Sequence, residues 1–87
     1  MILSQTSQFK KDIKRLGKRG KDIGKVKAVL DLLMAGAPLP PKYKDHSLSG
    51  TWAAHRDCHI EPDWILIYRI SPDELRLERT GSHSDLF

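Results

Sequence analysis

The stretch "EPDWILIYRISPDE", residues 61–74, decides the fold because it places a short apolar segment between two tight turns. The segment "WILIYRI", residues 64–70, is apolar at neighbouring positions, as expected of a central strand that is covered on at least one side. The turns "EPD" and "SPDE" are short enough to connect antiparallel strands. The flanking segments "TWAAHRDCHI" (51–60) and "LRLERTG" (75–81) therefore complete a predicted three-stranded antiparallel meander.

The first 36 residues predict a short strand followed by two helices. "MILSQ", residues 1–5, is the strand candidate. Residues 6–20 have an N-cap candidate in Thr6 or Ser7, and Gly17 or Gly20 is expected to end this helix. Residues 21–36 repeat the pattern and stop at Gly36. The apolar stripes of the two helices are formed by Phe9, Ile13 and Leu16, and by Ile23, Val26, Leu30 and Leu33.

The order of these elements is β-α-α-β-β-β. We predict an α+β fold in which a basic helical hairpin packs on one face of a small antiparallel sheet, in a single domain over residues 1–87. The segment "APLPPKYKDHSLSG", residues 37–50, is predicted to be a loop, because its prolines remove hydrogen-bond donors and force extended geometry. Loops of this length tend to be either functional or disordered.

Charge is distributed unevenly along the chain. The net charge is +4, yet residues 1–30 hold nine Lys/Arg residues against two Asp, which predicts a surface for a polyanion or an acidic protein. A solvated helix face is the other interpretation. A single cysteine, Cys58, excludes an internal disulfide and suits a reducing cytosol. Neither an export leader nor an apolar run long enough to span a membrane is found, so we expect a cytoplasmic protein.

Four histidines lie in the second half of the chain, at positions 46, 55, 59 and 83. Asp63 opens the next strand, across the "EPD" turn from His59, so we expect the two side chains to lie close together. Arg79 has the same strand parity as Leu75 and Leu77, and it is expected to continue that face to the rim of the sheet.

These residue types suit RNA cleavage. That reaction needs a base for the ribose 2′-OH, an acid for the leaving 5′-oxygen and a cation for the phosphate. Histidine can take and give a proton near neutral pH. The residues alone also allow a plainer interpretation, with structural histidines, a turn-capping Asp63 and an ion-paired Arg79. Zinc is disfavoured because no ligand pair has a recognised spacing.

Three motifs extend the argument beyond composition. "YKDHSLSGTW", "RDCHIEPDWILIYRI" and "LERTGSHSDLF" closely resemble the YafQ-type toxins of the RelE/ParE superfamily, and the resemblance covers essentially the whole chain. The resemblance implies the toxin of a bacterial type II toxin–antitoxin pair. It also implies a ribosome-dependent endonuclease that cuts A-site codons, adenine-rich ones above all, by metal-free attack of the 2′-OH.

The resemblance also implies a set of site residues. The implied catalytic residues are His46, His59, Asp63, Arg79 and His83. Trp64 and Phe87 would support or stack on bases. We assign His46 as general base and His83 as general acid, an order that the sequence leaves exchangeable. His59 and Asp63 would orient the RNA and tune proton transfer, and Arg79 would stabilise the phosphate. His55 lies outside the motifs and is taken as non-catalytic.

The tail and the helices receive roles as well. Leu86 and Phe87 are expected to pin the tail so that His83 is held opposite His46. The basic helices are expected to contact ribosomal RNA and mRNA through Lys10, Lys11, Lys14, Arg15 and Lys18. The expected partners are the 70S ribosome and an acidic, DinJ-like antitoxin whose DNA-binding end would bring the complex to its operator. No cofactor, metal or membrane is implied.

Two other functions stay open at this point. A ParE-like toxin would poison a protein target such as gyrase, but such members lack the His/Asp/Arg set present here. A catalytically inactive, RNA-binding relative is the second alternative. Growth arrest on expression, lost in a His83→Ala variant, would separate it from an active toxin.

Overall fold

The predicted central strand occupies the middle of a five-stranded sheet in the computed structural model, which describes residues 1–87. The strands are β1 (Ile2–Gln5), β2 (His46–Ser47), β3 (Arg56–Glu61), β4 (Trp64–Ile70) and β5 (Glu74–Gly81). The helices are α1 (Ser7–Lys18), α2 (Gly24–Met34) and α3 (His83–Leu86), with single 3-10 turns at Pro41–Tyr43 and Gly50–Trp52. The strands lie in the order β1-β5-β4-β3-β2.

The sheet is mixed rather than wholly antiparallel. The predicted meander is confirmed, since β3 pairs antiparallel with β4 and β4 with β5. β1 instead runs parallel to β5, with Ile2 opposite Glu74 and Gln5 opposite Leu77. Short turns impose antiparallel pairing on β3, β4 and β5, but no turn joins β1 to β5. The relative direction of β1 and β5 could therefore not be predicted from a turn.

The helical hairpin covers one face of the sheet, as predicted. Trp64, Leu66 and Tyr68 of β4 are fully buried there, together with the apolar stripes of both helices. Ile65 and Ile67 point to the opposite face and are equally buried, packed against Leu86 and partly buried Leu48 and Trp52. The central strand is therefore covered on both faces, which explains its unbroken apolar sequence.

Local signals fix the ends of α1. The Thr6 hydroxyl accepts a hydrogen bond from the Phe9 N–H at 2.9 Å, as an N-cap should. At the other end Gly20 has a φ of +84°, and the Lys21 N–H donates to the Leu16 carbonyl at 3.0 Å. This closes the helix through a left-handed residue, a conformation that glycine adopts without a steric penalty.

Two sequence predictions are corrected in the connection to the meander. Residues 37–50 are not a structureless loop, because they hold a 3-10 turn and β2, which pairs with β3 through His46 opposite Asp57. The strand predicted to start at residue 51 starts only at Arg56, after a second 3-10 turn and a left-handed Ala54 with a φ of +66°. His55 accordingly lies before the strand and not on it. None of the helices has the length and apolar character that crossing a membrane requires.

Candidate active site

Three of the predicted histidines meet on the sheet face opposite the helical hairpin, which we call the histidine face. The ring centroids of His46 and His59 are 6.5 Å apart, and those of His59 and His83 are 5.9 Å apart. Residues that oppose one another in a sheet point to the same side, and His59 lies opposite Ile65, which faces away from the hairpin. The sheet and the tail thus bring together residues that are up to 37 positions apart in sequence.

His46 is held by its backbone environment. Its Nδ1 lies 2.8 Å from the Lys44 carbonyl oxygen, which can only accept a hydrogen bond. In the neutral ring Nδ1 therefore carries the hydrogen, and Nε2 is left with a free lone pair. His59 is held in the same way, with Nδ1 3.1 Å from the Pro62 carbonyl oxygen. Both rings thus present Nε2 as a proton acceptor.

The segment that carries His46 is clamped to the sheet by Asp45. Arg56 donates to the Asp45 carboxylate from Nε and Nη2, and the Tyr68 hydroxyl donates to it at 2.5 Å. Burial and, to a smaller degree, the hydrogen bond to Asp45 raise the pKa of Tyr68. The clamp ties the end of the proline-rich segment to two strands of the core.

His83 is oriented by a carboxylate instead of a carbonyl. Its Nδ1 lies 2.9 Å from Asp63 Oδ1, and its backbone N–H donates to the same oxygen at 3.0 Å. Both hydrogen bonds hold the pKa of Asp63 below its ordinary value, and the bond from the His83 backbone N–H has the larger effect. We expected Asp63 beside His59. Its hydrogen bonds go instead to His83, because the tail folds back over the "EPD" turn.

The tail is a capped single turn of helix. Ser82 and Asp85 form a reciprocal capping box at the start of α3. Asp85 also pairs with Arg19 at 2.9 Å and with Arg15 at 3.6 Å, both on α1. The hydrogen bond from Arg19 is the main cause that lowers the pKa of Asp85. A Cβ on Gly81 would come within 2.8 Å of the Asp85 carboxylate, so glycine allows this close approach.

Only one of the two predicted tail anchors is an anchor. Leu86 is buried against Ile65 and Ile67, whereas Phe87 is 60% exposed. The expectation that Phe87 helps to pin the tail was therefore wrong. Its ring lies 6.1 Å from the His83 ring, where an exposed aromatic face is available to a ligand. The anchoring missed by sequence reasoning is ionic and runs through Asp85.

Arg79 lies on a face of the sheet that strand parity did not predict. Tyr68 pairs with Leu77 and Ile67 pairs with Arg79, so Glu78 is an extra residue in a β-bulge. The bulge turns Arg79 to the histidine face and away from the core face of Leu77. Its Nε and Nη2 donate to Asp12 at 2.8 and 3.2 Å, which leaves Nη1 without a partner in the chain.

Asp12 of α1 is the residue that fixes this arginine. It is fully buried and also accepts hydrogen bonds from the Arg15 side chain and the Thr80 N–H. Burial alone would raise the pKa of Asp12, but the bonds from Arg79 and Thr80 outweigh it, and the pKa is lowered. β1 ends opposite Leu77, so no strand lies beside the last residues of β5 on that edge. Asp12 accepts the hydrogen bond of the Thr80 N–H there in place of a strand.

Two of the predicted substrate contacts already have partners within the chain. Trp64 is 1% exposed on the hairpin side, where its indole Nε1 donates to the Thr80 hydroxyl at 2.9 Å, so it cannot stack on a base in this structure. Arg15 belongs to the ion pairs with Asp12 and Asp85. The other predicted α1 contacts, namely Lys10, Lys11, Lys14 and Lys18, are exposed and have no acidic partner.

Asp57 is another acidic residue near the histidines that sequence reasoning missed. It is 4% exposed, and its Oδ1 lies 3.0 Å from His46 Nδ1 without the geometry of a hydrogen bond. Burial raises the pKa of Asp57, and coulombic interactions with the His46 and His59 rings oppose part of that rise. Aspartate is depleted in strand interiors, so its presence in "RDCHI" was the available signal. Cys58 next to it points into the hydrophobic core, and burial raises its pKa to about 12.

His55 lies apart from the three clustered rings. Its Nδ1 is 3.0 Å from the Ala53 carbonyl oxygen, its Nε2 is 3.4 Å from Glu78, and Trp52 packs edge-on against it. Its contacts are therefore those of a ring packed at the margin of the sheet. The structure places it outside the cluster, as the motifs predicted.

Comparison with known proteins places this geometry in a family. The family described as the YafQ toxin, a bacterial toxin of type II toxin–antitoxin systems, matches residues 1–87. The mRNA interferase toxin YafQ of Escherichia coli K12 is 49% identical over 98% of this chain and 94% of its own length. YafQ in the E. coli DinJ–YafQ complex is 49% identical, with a TM-score of 0.92 over 98% of this chain and 96% of that one.

A metal-bound toxin from Helicobacter pylori is similar as well, at 42% identity and a TM-score of 0.93 over 100% of this chain and 99% of that one. In this chain no group of three or more His, Cys, Asp or Glu side chains is placed to hold a metal ion.

The order of helices and strands, the grouped histidines and the match over residues 1–87 lead to one conclusion. This chain belongs to the YafQ family of toxins from bacterial type II toxin–antitoxin systems.

Proposed function

We propose that the chain is an mRNA interferase, an endoribonuclease that enters the ribosomal A site and cuts the codon there, with adenine-rich codons preferred. The observation that carries this proposal is the cluster of three histidines whose Nδ1 atoms lie 2.8 to 3.1 Å from protein oxygens. Each ring is thereby oriented with Nε2 available for proton transfer. The 49% identical E. coli relative is named an mRNA interferase, which supports the same activity here.

The reaction is an internal transfer at phosphorus. His46 Nε2 takes the proton of the ribose 2′-OH, and the 2′-oxygen forms a bond to the adjacent phosphorus. The bond from phosphorus to the 5′-oxygen breaks, and His83 gives its proton to that oxygen. The products are a 2′,3′-cyclic phosphate and a 5′-OH. No metal takes part in any of these steps.

The neighbours of the two rings support this order of base and acid. Asp63 is held ionised by hydrogen bonds from His83, and a carboxylate on Nδ1 stabilises the imidazolium that an acid requires. His46 is oriented by a neutral carbonyl, as suits a base that must begin unprotonated. His59 lies between them and would orient the RNA.

Two further side chains complete the proposal. Arg79 keeps Nη1 free after its pairing with Asp12, and it would bind a non-bridging phosphate oxygen as charge develops there. Phe87 offers an exposed ring beside His83 for a base. The hydrogen bonds to Asp12 position Arg79 before RNA arrives, which limits the entropy lost on reaching the transition state.

Residues 1–87 would act as one toxin domain in the bacterial cytoplasm. The four exposed α1 lysines would contact ribosomal RNA, where each neutralised phosphate adds salt-sensitive affinity. An acidic, DinJ-like antitoxin would inhibit the toxin, as the DinJ–YafQ complex of the relative suggests. Operator DNA would be reached only through the antitoxin in that complex.

The test is cleavage of an mRNA programmed on purified ribosomes with AAA in the A site, using toxin that has been treated with EDTA and then separated from it. The wild type should cut within that codon, and His83→Ala should lose roughly 10²- to 10⁴-fold in rate. Cleavage that is lost after this treatment and returns only with an added transition-metal ion would contradict the metal-free mechanism. Growth arrest without cleavage of any codon would point instead to a protein target such as gyrase.

A further inference from the structure

A second concave surface adjoins the histidine face. A cleft of about 450 Å³ lies between α2, the turn at Pro41–Tyr43 and the end of β3. This volume falls within the usual range for ligand sites, about 300–1,000 Å³. His59 lines the cleft and also belongs to the histidine cluster, so an extended ligand could occupy both.

The cleft carries uncompensated positive charge. Lys42 and Lys44 line it, are exposed and have no acidic partner within ion-pairing distance. The one carboxylate in the lining, Glu61, is already paired with Lys25 at 2.7 Å and with Lys21 at 2.9 Å. An anion entering the cleft would therefore meet two free ammonium groups.

The remaining lining is apolar. Ile60 and Pro62 contribute aliphatic surface, and the Tyr43 ring packs against the hydrophobic core. The Tyr43 hydroxyl makes no hydrogen bond within the chain, whereas Lys42 Nζ lies 5.1 Å from the centre of its ring. A ligand with an anionic part and a flat apolar part matches this combination, and a nucleotide is such a ligand.

The segment that presents these side chains is preorganised. Two consecutive prolines, Pro40 and Pro41, fix the entry to the 3-10 turn. Lys44 then takes a left-handed φ of +48°, and the Asp45 clamp holds the residue that follows. Little conformational freedom is left to lose when a ligand binds.

We propose that this cleft binds one nucleotide of the RNA substrate next to the cut, an inference that rests on the proposed function. Lys42 and Lys44 bind its phosphate, and the Tyr43 and Pro62 surface receives its base or sugar. The cleft thereby extends the active site along the mRNA beyond the codon position held by the histidines. A phosphate of ribosomal RNA has the same chemistry, so the test must separate the two sources.

The experiment pairs a protein variant with neutralised mRNA linkages. Lys42→Gln/Lys44→Gln removes both charges and keeps the side-chain stems, and Lys27→Gln/Arg69→Gln is a control with the same change in net charge. The mRNAs carry one uncharged methylphosphonate each, at successive linkages on either side of the cut, on programmed ribosomes. KM and kcat are measured for every pair of protein and mRNA.

In the wild type, one flanking methylphosphonate should raise KM by roughly tenfold, the loss expected for a charge-assisted contact. In Lys42→Gln/Lys44→Gln, KM should be raised with the fully charged mRNA. A methylphosphonate at that same linkage should then cause no further rise in KM. A KM raised equally with every mRNA would assign the cleft to ribosomal RNA and overturn the proposal. Kinetics equal to those of the control would overturn it as well. If the wild type cuts no mRNA, the proposed function itself fails.

Discussion

The segments that carry His46 and His83 are held in place by different kinds of contact. His46 lies on β2, where the adjacent Asp45 is bound by Arg56 and by the buried Tyr68 of the central strands. His83 lies on a four-residue helix held by Asp63, by ion pairs of Asp85 with α1, and by the burial of Leu86. One histidine is attached to the core and the other to a tail.

This difference predicts which half of the site fails first. Exposed ion pairs are individually weak and are screened by salt, whereas a clamp that includes a buried tyrosine is lost only with the sheet. The tail can therefore detach while the rest of the fold survives. The proposed acid should be lost before the proposed base, and activity should be lost before stability.

Removing the last two residues should have the largest effect. Deletion of Leu86 and Phe87 removes the only apolar anchor of the tail, and we expect cleavage to fall by roughly 10²-fold or more while the sheet persists. Deletion of Phe87 alone is the matched control and should cost less, because that ring is exposed. Circular dichroism and programmed-ribosome cleavage are the measurements. Full activity of the longer deletion would contradict the anchoring role of Leu86.

Asp63→Asn should have the next largest effect. The amide cannot stabilise an imidazolium as a carboxylate does, so we expect cleavage to fall by roughly 10- to 100-fold, as for a displaced catalytic group. Because Asp63 acts through His83, the same substitution should cost little further activity in a His83→Ala background. An equal loss in both backgrounds would mean that Asp63 does not act through His83.

Weakening the ionic anchor should give a smaller, salt-dependent loss. Arg19→Ala removes the 2.9 Å pair with Asp85, and we expect cleavage to fall by up to about fivefold at low salt. The difference from wild type should shrink as salt screens the pair in both proteins. Arg69→Ala is a control for the lost charge, since Arg69 has no acidic partner. Equal effects of the two variants would exclude a specific role for the Arg19 pair.

Asp85 and Asp57 should affect the pH dependence of the free energy of unfolding in opposite directions. The pKa of Asp85 is lowered in the fold, so its stabilisation is present above its unfolded pKa, about 3.9, and is lost as the pH falls through the folded value. The pKa of Asp57 is raised, so its penalty is complete above the folded value and vanishes below about 3.9.

Asp57→Asn should therefore raise the Tm at pH 7, with no gain at pH 3.5. Asp85→Asn should lower the Tm at pH 7. Melting curves of both variants between pH 3 and 7 test the pair. A lower Tm of Asp57→Asn at pH 7 would show that the ionised Asp57 stabilises the fold.

Local patterns predicted most of the fold. The caps at Thr6 and Gly20, the helix stripes and the tight turns around residues 64–70 act over a few positions, so they can be read from sequence. The direction of β1 and the late start of β3 depend on tertiary pairing and on the left-handed Ala54, which no local pattern encodes.

The sequence predicted which histidines cluster better than it predicted how the surrounding side chains are oriented. The motifs named the three histidines that cluster, but a bulge at Glu78 reversed the face expected for Arg79. Trp64 was assigned as a base-binding ring from the family resemblance, and its burial depends on packing by α1 and α2, which a motif does not reveal. The supporting acids Asp12, Asp57 and Asp85 were missed since each acts through partners distant in sequence.

The most direct test of the central claim, that His83 on its anchored tail donates the proton to the leaving oxygen, uses an mRNA with sulfur in place of the scissile 5′-oxygen. A thiolate leaves without protonation, so an acid is no longer required, whereas a base still is. We predict that this substrate restores cleavage by His83→Ala to near the wild-type rate and does not restore cleavage by His46→Ala. Rescue of His46→Ala instead, or of neither variant, would contradict the assignment.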